Sequence, residues 1–271
     1  MEIKNGVGVV TGAASGIGRA VANELARRGA KAIALVDRSE AVIETADQIK
    51  HLGHTELQPF VGDTTSAEFR KHVFDRVCGQ YDDVNFCVPA AGITRDALAV
   101  KINRETGEPD IYPSDTFRLV IEVDLVAPVY WALETVARIA KSRKRRNLRR
   151  WEPEEGMQGA IVLVSSVSSN GVKGQIAYAA AKAGLDGAAA TLSKEAIFYG
   201  VRCAVIHPGF TDTPMVRVLG DEYISTHILP DTQLRRLIRP EEIADAICFM
   251  ISNSAVSGEL WADAGWHPSA A

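Results

Sequence analysis

Tyr178 and Lys182 stand four positions apart in Tyr178-Ala-Ala-Ala-Lys182. On a helix that spacing puts both side chains on one face, about a turn apart. A phenol ordinarily titrates near ~10, too high for a general base at neutral pH. An ammonium beside it favours the phenolate and lowers that value. The pair therefore reads as a group that takes up and returns a proton. The plain alternative is a tyrosine and a lysine on an ordinary amphipathic helix, and the spacing alone does not separate the two. Just upstream, residues 160–164 form a short apolar strand that ends in Ser165-Ser166. A hydroxyl at the C-terminal end of a strand can donate to a carbonyl and polarise it.

The rest of the chain must hold such a set in place. Its 271 residues are 46% hydrophobic and 24% charged, with a formal net charge of -4. That suits one large α/β domain, or two small ones, with a sizeable core. The mild acidity gives no reason to expect nucleic acid or an anionic membrane as partner. Cys78, Cys87, Cys203 and Cys248 are far apart in apolar or helical settings, without a CxxC or a Cys/His cluster. Reduced, mostly buried thiols, no metal and a cytoplasmic location follow as expectations. Met1 to Gly6 lead straight into a strand, with no signal peptide, and no apolar run reaches the ~18 residues of a membrane span.

Val7–Thr11 is a β-branched run, and Gly12-Ala-Ala-Ser15-Gly16-Ile17-Gly18 follows it directly. Residues 19–28 then read as a helix closed by Gly29. In this strand–turn–helix setting Gly12 permits the tight turn, Gly16 lets a pyrophosphate approach the backbone, and Gly18 allows close helix–strand packing. A tight turn without a ligand is the alternative. The second strand, residues 32–36, ends in Asp37-Arg38. A carboxylate there can accept from both ribose hydroxyls of an adenosine and would repel a 2′-phosphate, so NAD(H) is favoured over NADP(H). Ser15, rather than a basic residue, precedes Gly16 and fits that preference, while Arg38 can cover the adenine or partly offset the repulsion. Asp37 could instead, or also, cap the next helix.

Residues 40–52 read as a polar amphipathic helix, 57–61 as the third strand, 66–81 as a helix and 85–88 as the fourth strand. Asp63 and Thr64, after the third strand, are candidates for the adenine edge or for a helix N-cap. Residues 97–113 read as a polar loop. Residues 117–140 read as one long helix interrupted at Pro128, and 178–199 as a helix with small residues at Ala181, Gly184 and Ala188 beside Leu192. Residues 202–206 form the sixth strand, 216–238 lack a clear period, a helix starts at Pro240 and runs to about 251, and Gly258–Ala262 is the last strand. His207 reads as a strand-end residue. Between Lys141 and Arg150, seven of ten residues are basic. Such a run is usually a solvated extension, and the alternative is a docking patch for an acidic carrier protein, coenzyme A phosphates or a neighbouring subunit.

Taken together, the run Thr11–Gly18, Asp37, Asp63, Ala90-Ala91-Gly92, the serine strand, Tyr178 with Lys182, and Pro208-Gly209 resemble the short-chain dehydrogenase/reductase family. Residues 91–96 and 174–184 look most like its 3-oxoacyl-(acyl carrier protein) reductase branch. The resemblance implies an α/β fold with one Rossmann-like, doubly wound parallel sheet of about seven strands and helices on both faces. It covers residues 1–271 as a single domain, with a mobile substrate-covering segment at about 213–238. It implies Ser166, Tyr178, Lys182 and Asp124 as the catalytic set, with Ser166 chosen over Ser165 as the second of the pair. Cofactor contacts would come from Gly12, Ser15, Gly16, Ile17, Gly18, Asp37, Arg38, Asp63, Thr64, Ala90, Ala91, Gly92, Tyr178, Lys182, Pro208, Gly209, Thr211 and Thr213. The family usually has Asn-Asn where Pro89-Ala90 stand here, and an Asn at the position of Asp124. That carboxylate could pair with Lys182 and weaken its effect on Tyr178.

The function implied is hydride transfer between NAD(H) and a secondary alcohol or ketone. A 3-hydroxyacyl or 3-oxoacyl thioester is one substrate class; small alcohols, polyols and sugars are the other. An NAD-binding sensor or scaffold with little activity is the alternative of another kind. A homotetramer or dimer is implied as well, through the helix that carries Tyr178.

Overall fold

The computed structural model describes residues 1–266. The apolar runs 7–11, 32–37, 86–89, 159–164 and 201–208 become buried strands, and amphipathic runs between them become helices that pack on the sheet. The order is β1 (Val7–Thr11), α1 (Gly16–Arg27), β2 (Ala32–Asp37), α2 (Ala41–Ile49), β3 (Glu56–Val61), α3 (Ala67–Tyr81) and β4 (Phe86–Pro89). A two-stranded hairpin, β5 (Val100–Ile102) and β6 (Pro109–Ile111), comes next. Then follow α4 (Ser114–Ile121), a π-helical turn (Glu122–Val126), α5 (Ala127–Arg145), β7 (Gly159–Val164), α6 (Ile176–Glu195) and β8 (Val201–Pro208). The chain closes with two short helices, α7 (Pro214–Arg217) and α8 (Asp221–Tyr223), then α9 (Pro240–Ser252) and β9 (Gly258–Ala262).

Seven parallel strands form one sheet in the order β3-β2-β1-β4-β7-β8-β9. Parallel pairing needs a crossover between neighbours, so helices cover both faces. The inner strands β1, β2, β4, β7 and β8 are buried almost throughout, while the edge strands β3 and β9 keep exposed polar positions. One core lies between the sheet and α1, α2 and α9, around Val21, Leu25, Val42, Ile243 and Ile247. The other lies under α3, α5 and α6, around Phe74, Trp131, Leu185 and Leu192. Strand order reverses between β1 and β4, which opens a crevice at their C-terminal ends.

Several expectations change. The polar loop at 97–113 contains the β5–β6 hairpin. The Asn103 side chain accepts from the Glu105 and Thr106 amides at 2.9 and 3.2 Å and tightens the connection. Its apolar residues Val100, Ile102 and Ile111 face solvent, so burial patterning did not mark it. The single interrupted helix is α4, a π turn and α5. Pro128 has no N–H to offer the carbonyl of Asp124, and the Ala127 amide reaches five residues back to Glu122. The helix after Ser165-Ser166 starts earlier, at Ile176, and its last turn, Ala196–Tyr199, is a tighter 3-10 helix. Its small stripe points inward, with Ala181 and Leu192 buried and Gly184 against Leu125. The outward face is instead Ala183, Gly187 and Ala190. Neither Asp63 nor Thr64 caps α3; Ser66 does, accepting from the Phe69 amide at 3.1 Å.

The basic run is partly structural. Arg143 is buried and donates to both Glu155 oxygens at 2.7 and 3.1 Å and to the Arg149 carbonyl at 3.0 Å. It lies at the far end of α5, nineteen residues and about 28 Å long, next to the N-terminal end of β7. The crevice is at the opposite pole of the sheet. A carrier docked on this run would therefore sit far from the strand ends where chemistry can occur.

Gly18 carries the tight approach of α1 to β1, because a Cβ there would overlap the Gly12 carbonyl oxygen. Gly18→Ala should cost about 2 kcal/mol by overpacking and lower the thermal midpoint. An unchanged midpoint would mean that α1 moves off the turn without cost.

Candidate active site

A cavity of about 510 Å³ occupies the crevice. It runs from the glycine turn, past Asp37 and Arg38, to Ser166, Tyr178 and Lys182, and out to Met215 and Leu219. All the residues expected from the sequence at the cofactor and at the reacting carbon line it, except Asp124, which lies behind its wall.

At the adenosine end the backbone does the positioning. Gly12 and Gly16 adopt φ of +67° and +52°, left-handed values that L side chains rarely take. A Cβ at Gly16 would stand 3.0 Å from the Thr213 methyl. The Asp37 carboxylate accepts from the Ala14 amide at 3.1 Å and from the Ser39 amide at 2.9 Å. It thus braces the glycine turn rather than capping α2. Asp63 accepts from the Thr65 amide and hydroxyl at 2.9 and 2.8 Å, and the carbonyl of Thr64 takes the buried Trp131 indole N–H at 2.9 Å. The Ala91 amide donates to Thr11 Oγ1 at 3.1 Å. This bond ties the end of β4 to β1 where Pro89-Ala90 replace two asparagines.

At the other end side chains do the work. Ser165 and Ser166 diverge. Ser165 donates to the Lys182 carbonyl at 3.0 Å, while Ser166 lies beside Tyr178 and accepts from the Ser168 amide at 3.1 Å. Lys182 is buried, and its ammonium donates to the Val164 carbonyl at 3.0 Å. It lies 5.3 Å from the centre of the Tyr178 ring and 3.7 Å from Asp124 Oδ2. Asp124 is fully buried on the π turn. Its Oδ1 accepts from the Ile93 amide at 2.9 Å, and its Oδ2 has no hydrogen-bond partner among the described residues. Gly92 leaves it room, since a Cβ there would come within 3.2 Å of Oδ2.

The electrostatics correct one expectation. Burial lowers the Lys182 ammonium and raises the Asp124 carboxyl, each group opposing the other's shift. The Tyr178 phenol is raised rather than lowered. Burial is the largest cause, the Asp124 charge adds to it, and only Ser166 works the other way. The Lys182 charge is spent on Val164 and Asp124, so it does not offset what the phenol loses in leaving water.

Residues at the mouth escaped the sequence reading. Gln175 donates to Asp96 at 2.8 Å, the Ala97 amide donates to the Gly174 carbonyl at 2.8 Å, and Arg95 and Asp96 line the rim. Residues 91–96 were read for their resemblance alone, and nothing local signals that they meet the turn before α6.

A crevice at the switch point of a parallel sheet is where this architecture takes a dinucleotide, and the left-handed glycines of the first turn line it. With a phenol and a buried ammonium at its other end, it defines a nicotinamide-dependent oxidoreductase of Rossmann-like fold. Residues 12–267 match a family model described as enoyl-(acyl carrier protein) reductase. The 3-oxoacyl-[acyl-carrier-protein] reductase of Escherichia coli (strain K12) is 32% identical over 262 residues, 96% of each chain. The enzyme of that description from Thermotoga maritima is 32% identical over 266 residues, again 96% of each. Cis-4-hydroxycyclohexanecarboxylate dehydrogenase of Sinomonas cyclohexanicum is 32% identical over 264 residues, 96% of each. A short-chain type dehydrogenase/reductase from Mycobacterium marinum superposes with a TM-score of 0.82 at 21% identity, covering 98% of this chain and 96% of that one. This chain belongs to the short-chain dehydrogenase/reductase family, whose members work between CH–OH and carbonyl groups.

Asp124 raises the Tyr178 phenol, so Asp124→Asn should lower it. Alcohol oxidation through a Tyr178 phenolate should then begin at lower pH and run faster at neutral pH. The dependence of kcat/KM on pH between about 5 and 10 measures this. An unmoved acidic limb would show that Asp124 does not set the phenol's titration.

Proposed function

We propose that the protein transfers a hydride between NAD(H) and a secondary alcohol or ketone with an apolar body. The observation that carries this reading is the meeting of Ser166, Tyr178 and Lys182 on one wall of the cavity. The same cavity is lined by the apolar side chains of Leu119, Val123, Val167, Met215, Val216 and Leu219, with Arg95, Asp96, Glu122 and Gln175 among its polar ones. Such a lining favours an acyl chain or an alicyclic ring over a polyol or sugar. The 3-oxoacyl thioesters named for the enteric and thermophilic relatives, and the ring alcohol named for the Sinomonas relative, are the two classes to try first.

A bound nicotinamide supplies or accepts the hydride. Ser166 donates to the substrate oxygen and fixes its distance from Tyr178. Tyr178 gives that oxygen a proton in reduction and takes it back in oxidation. Its raised phenol suits the donor role at neutral pH and puts oxidation at alkaline pH. Lys182 fixes the floor of the site through Val164 and offers its remaining hydrogens to the nicotinamide ribose. Asp124 shares the charge of Lys182. The glycine turn with Ser15 and Ile17 holds the pyrophosphate, Thr213 reaches the nicotinamide carboxamide, and Asp37 and Arg38 hold the adenosine ribose. Asp63 and Thr64 meet the adenine, and Ala90–Gly92 with Pro208, Gly209 and Thr211 border the nicotinamide half. A carboxylate fixed by two backbone amides repels a 2′-phosphate, which favours NAD over NADP.

Residues 213–238 act as the substrate cover of this one domain. Ile224, Ile228 and Leu237 give the segment a small core of its own, and Met215, Val216 and Leu219 reach the cavity. The outward small face of α6, with Tyr130 and Leu133 exposed on α5, supports assembly of two or four copies. The four free cysteines support a reducing, cytoplasmic setting, and no helix among the described residues is long and apolar enough to cross a membrane.

The test is NAD+ reduction across 3-hydroxyacyl thioesters, alicyclic alcohols, polyols and sugars, with turnover expected in the first two classes. Tyr178→Phe should lose roughly 10²–10⁴ in turnover and keep its affinity for NAD, measured by calorimetry. Turnover within a few fold of the parent would remove Tyr178 as the proton carrier. Asp37→Ala should narrow the ratio of kcat/KM for NAD over NADP, and an unchanged ratio would place the choice elsewhere.

A further inference from the structure

Behind Ser166 lies a polar cluster that the hydride chemistry does not use. His207, next to last in β8, is fully buried and stacked on Trp261 of β9, with ring centres 3.9 Å apart and planes 8° from parallel. Its Nδ1 is 3.2 Å from the Ser166 carbonyl oxygen and 3.3 Å from Ser169 Oγ. Its Nε2 has no hydrogen-bond partner among the described residues and faces two carboxylates, Asp186 Oδ1 at 3.7 Å and Glu259 Oε2 at 3.6 Å. Asp186 Oδ1 is likewise buried without a hydrogen bond.

A carbonyl can only accept, so Nδ1 carries the hydrogen of the bond to Ser166. That bond adds to the one the same carbonyl takes from the Ser169 amide at 3.0 Å. Ser166 Oγ in turn accepts from the Ser168 amide, so the orientation of its hydroxyl is set by this 3-10 turn. On the other side of the ring, Asp186 stands one helical turn after Lys182, and the Ser165 hydroxyl holds the Lys182 carbonyl at 3.0 Å. Burial pushes the Asp186 carboxyl up, and His207 opposes that shift.

We infer that His207 is a positioning residue that holds the peptide of Ser166 through its Nδ1, with the carboxylates of Asp186 and Glu259 facing its other nitrogen, and so sets the distance between the Ser166 hydroxyl and Tyr178. The inference rests on the role proposed for Ser166. It needs no contact between His207 and substrate or cofactor.

Two substitutions separate the two sides of the ring. His207→Asn keeps a donor near the Nδ1 position, towards Ser166, and His207→Gln keeps one near Nε2, towards Asp186. Hydrogen exchange of the amides at 165–171 reads the brace without turnover. His207→Gln should speed exchange there by roughly tenfold, the size of one lost hydrogen bond, and His207→Asn should leave it within about twofold of the parent. On the best alcohol of the screen, His207→Gln should lose roughly ten- to hundredfold in kcat, the usual effect of a small misplacement. Its KM and NAD affinity should hold, and His207→Asn should restore kcat. Equal exchange and equal kcat in the two variants, or losses that follow only their thermal midpoints, would overturn the inference. The expected exchange order in a protein that turns over no alcohol would support the brace and overturn the proposed chemistry instead.

Discussion

A lysine ammonium buried at the end of a parallel sheet is the constraint around which this site is built. A charge out of water is tolerated only when it is paired and hydrogen-bonded. Lys182 meets that condition through one carbonyl, Val164, and one carboxylate, Asp124. Each partner carries its own requirement. Val164 must end its strand beside α6. Asp124 must be turned inward, which the π turn before Pro128 achieves, and Gly92 leaves it space that a Cβ would narrow to 3.2 Å. The Ile93 amide then steadies the carboxylate. Two sheet ends, those of β7 and β4, and the π turn are thereby tied to a single side chain.

The two ends of the crevice follow different logic. The adenosine end is built from backbone, with left-handed glycines, amides aimed at Asp37, and an indole N–H holding the Thr64 carbonyl. Its geometry is set by the turns after β1, β2 and β3, with one support from Trp131 on α5. The reacting end is built from side chains on β7, α6 and the π turn, brought together across the sheet. Its electrostatics are collective. The phenol's titration depends on its burial, on Asp124 and on Ser166, more than on the lysine a turn away.

Charge is also divided between the poles of the sheet. The crevice opens at the C-terminal strand ends, whereas the basic run at 141–150 caps the other pole and spends Arg143 on Glu155. Arg146 reaches Gln158 at 3.1 Å in the same region. Arg143 and Arg146 thus close the loop before β7, while Lys141, Lys144, Arg145, Arg149 and Arg150 stay exposed. The β5–β6 hairpin, by contrast, stands at the reacting side and joins the turn before α6 through Ala97.

What the sequence determined by itself was everything decided within a few residues. The glycine turn, the acid after the second strand and the paired serines are local statements. The apolar runs of the inner strands already required a sheet covered on both faces, and their spacing placed the helices between them. Helix ends moved by a few residues because capping competes with propensity there. The hairpin at 100–111 was lost because its strands are three residues long and show their apolar side chains to solvent, leaving no burial pattern to detect. Only the tertiary structure decided which face of α6 looks outward, that Ser165 and Ser166 part company, that the phenol of Tyr178 is raised, and that His207 faces two carboxylates. All of these depend on burial and on distances between groups far apart in the chain, and neither quantity exists until the sheet has formed.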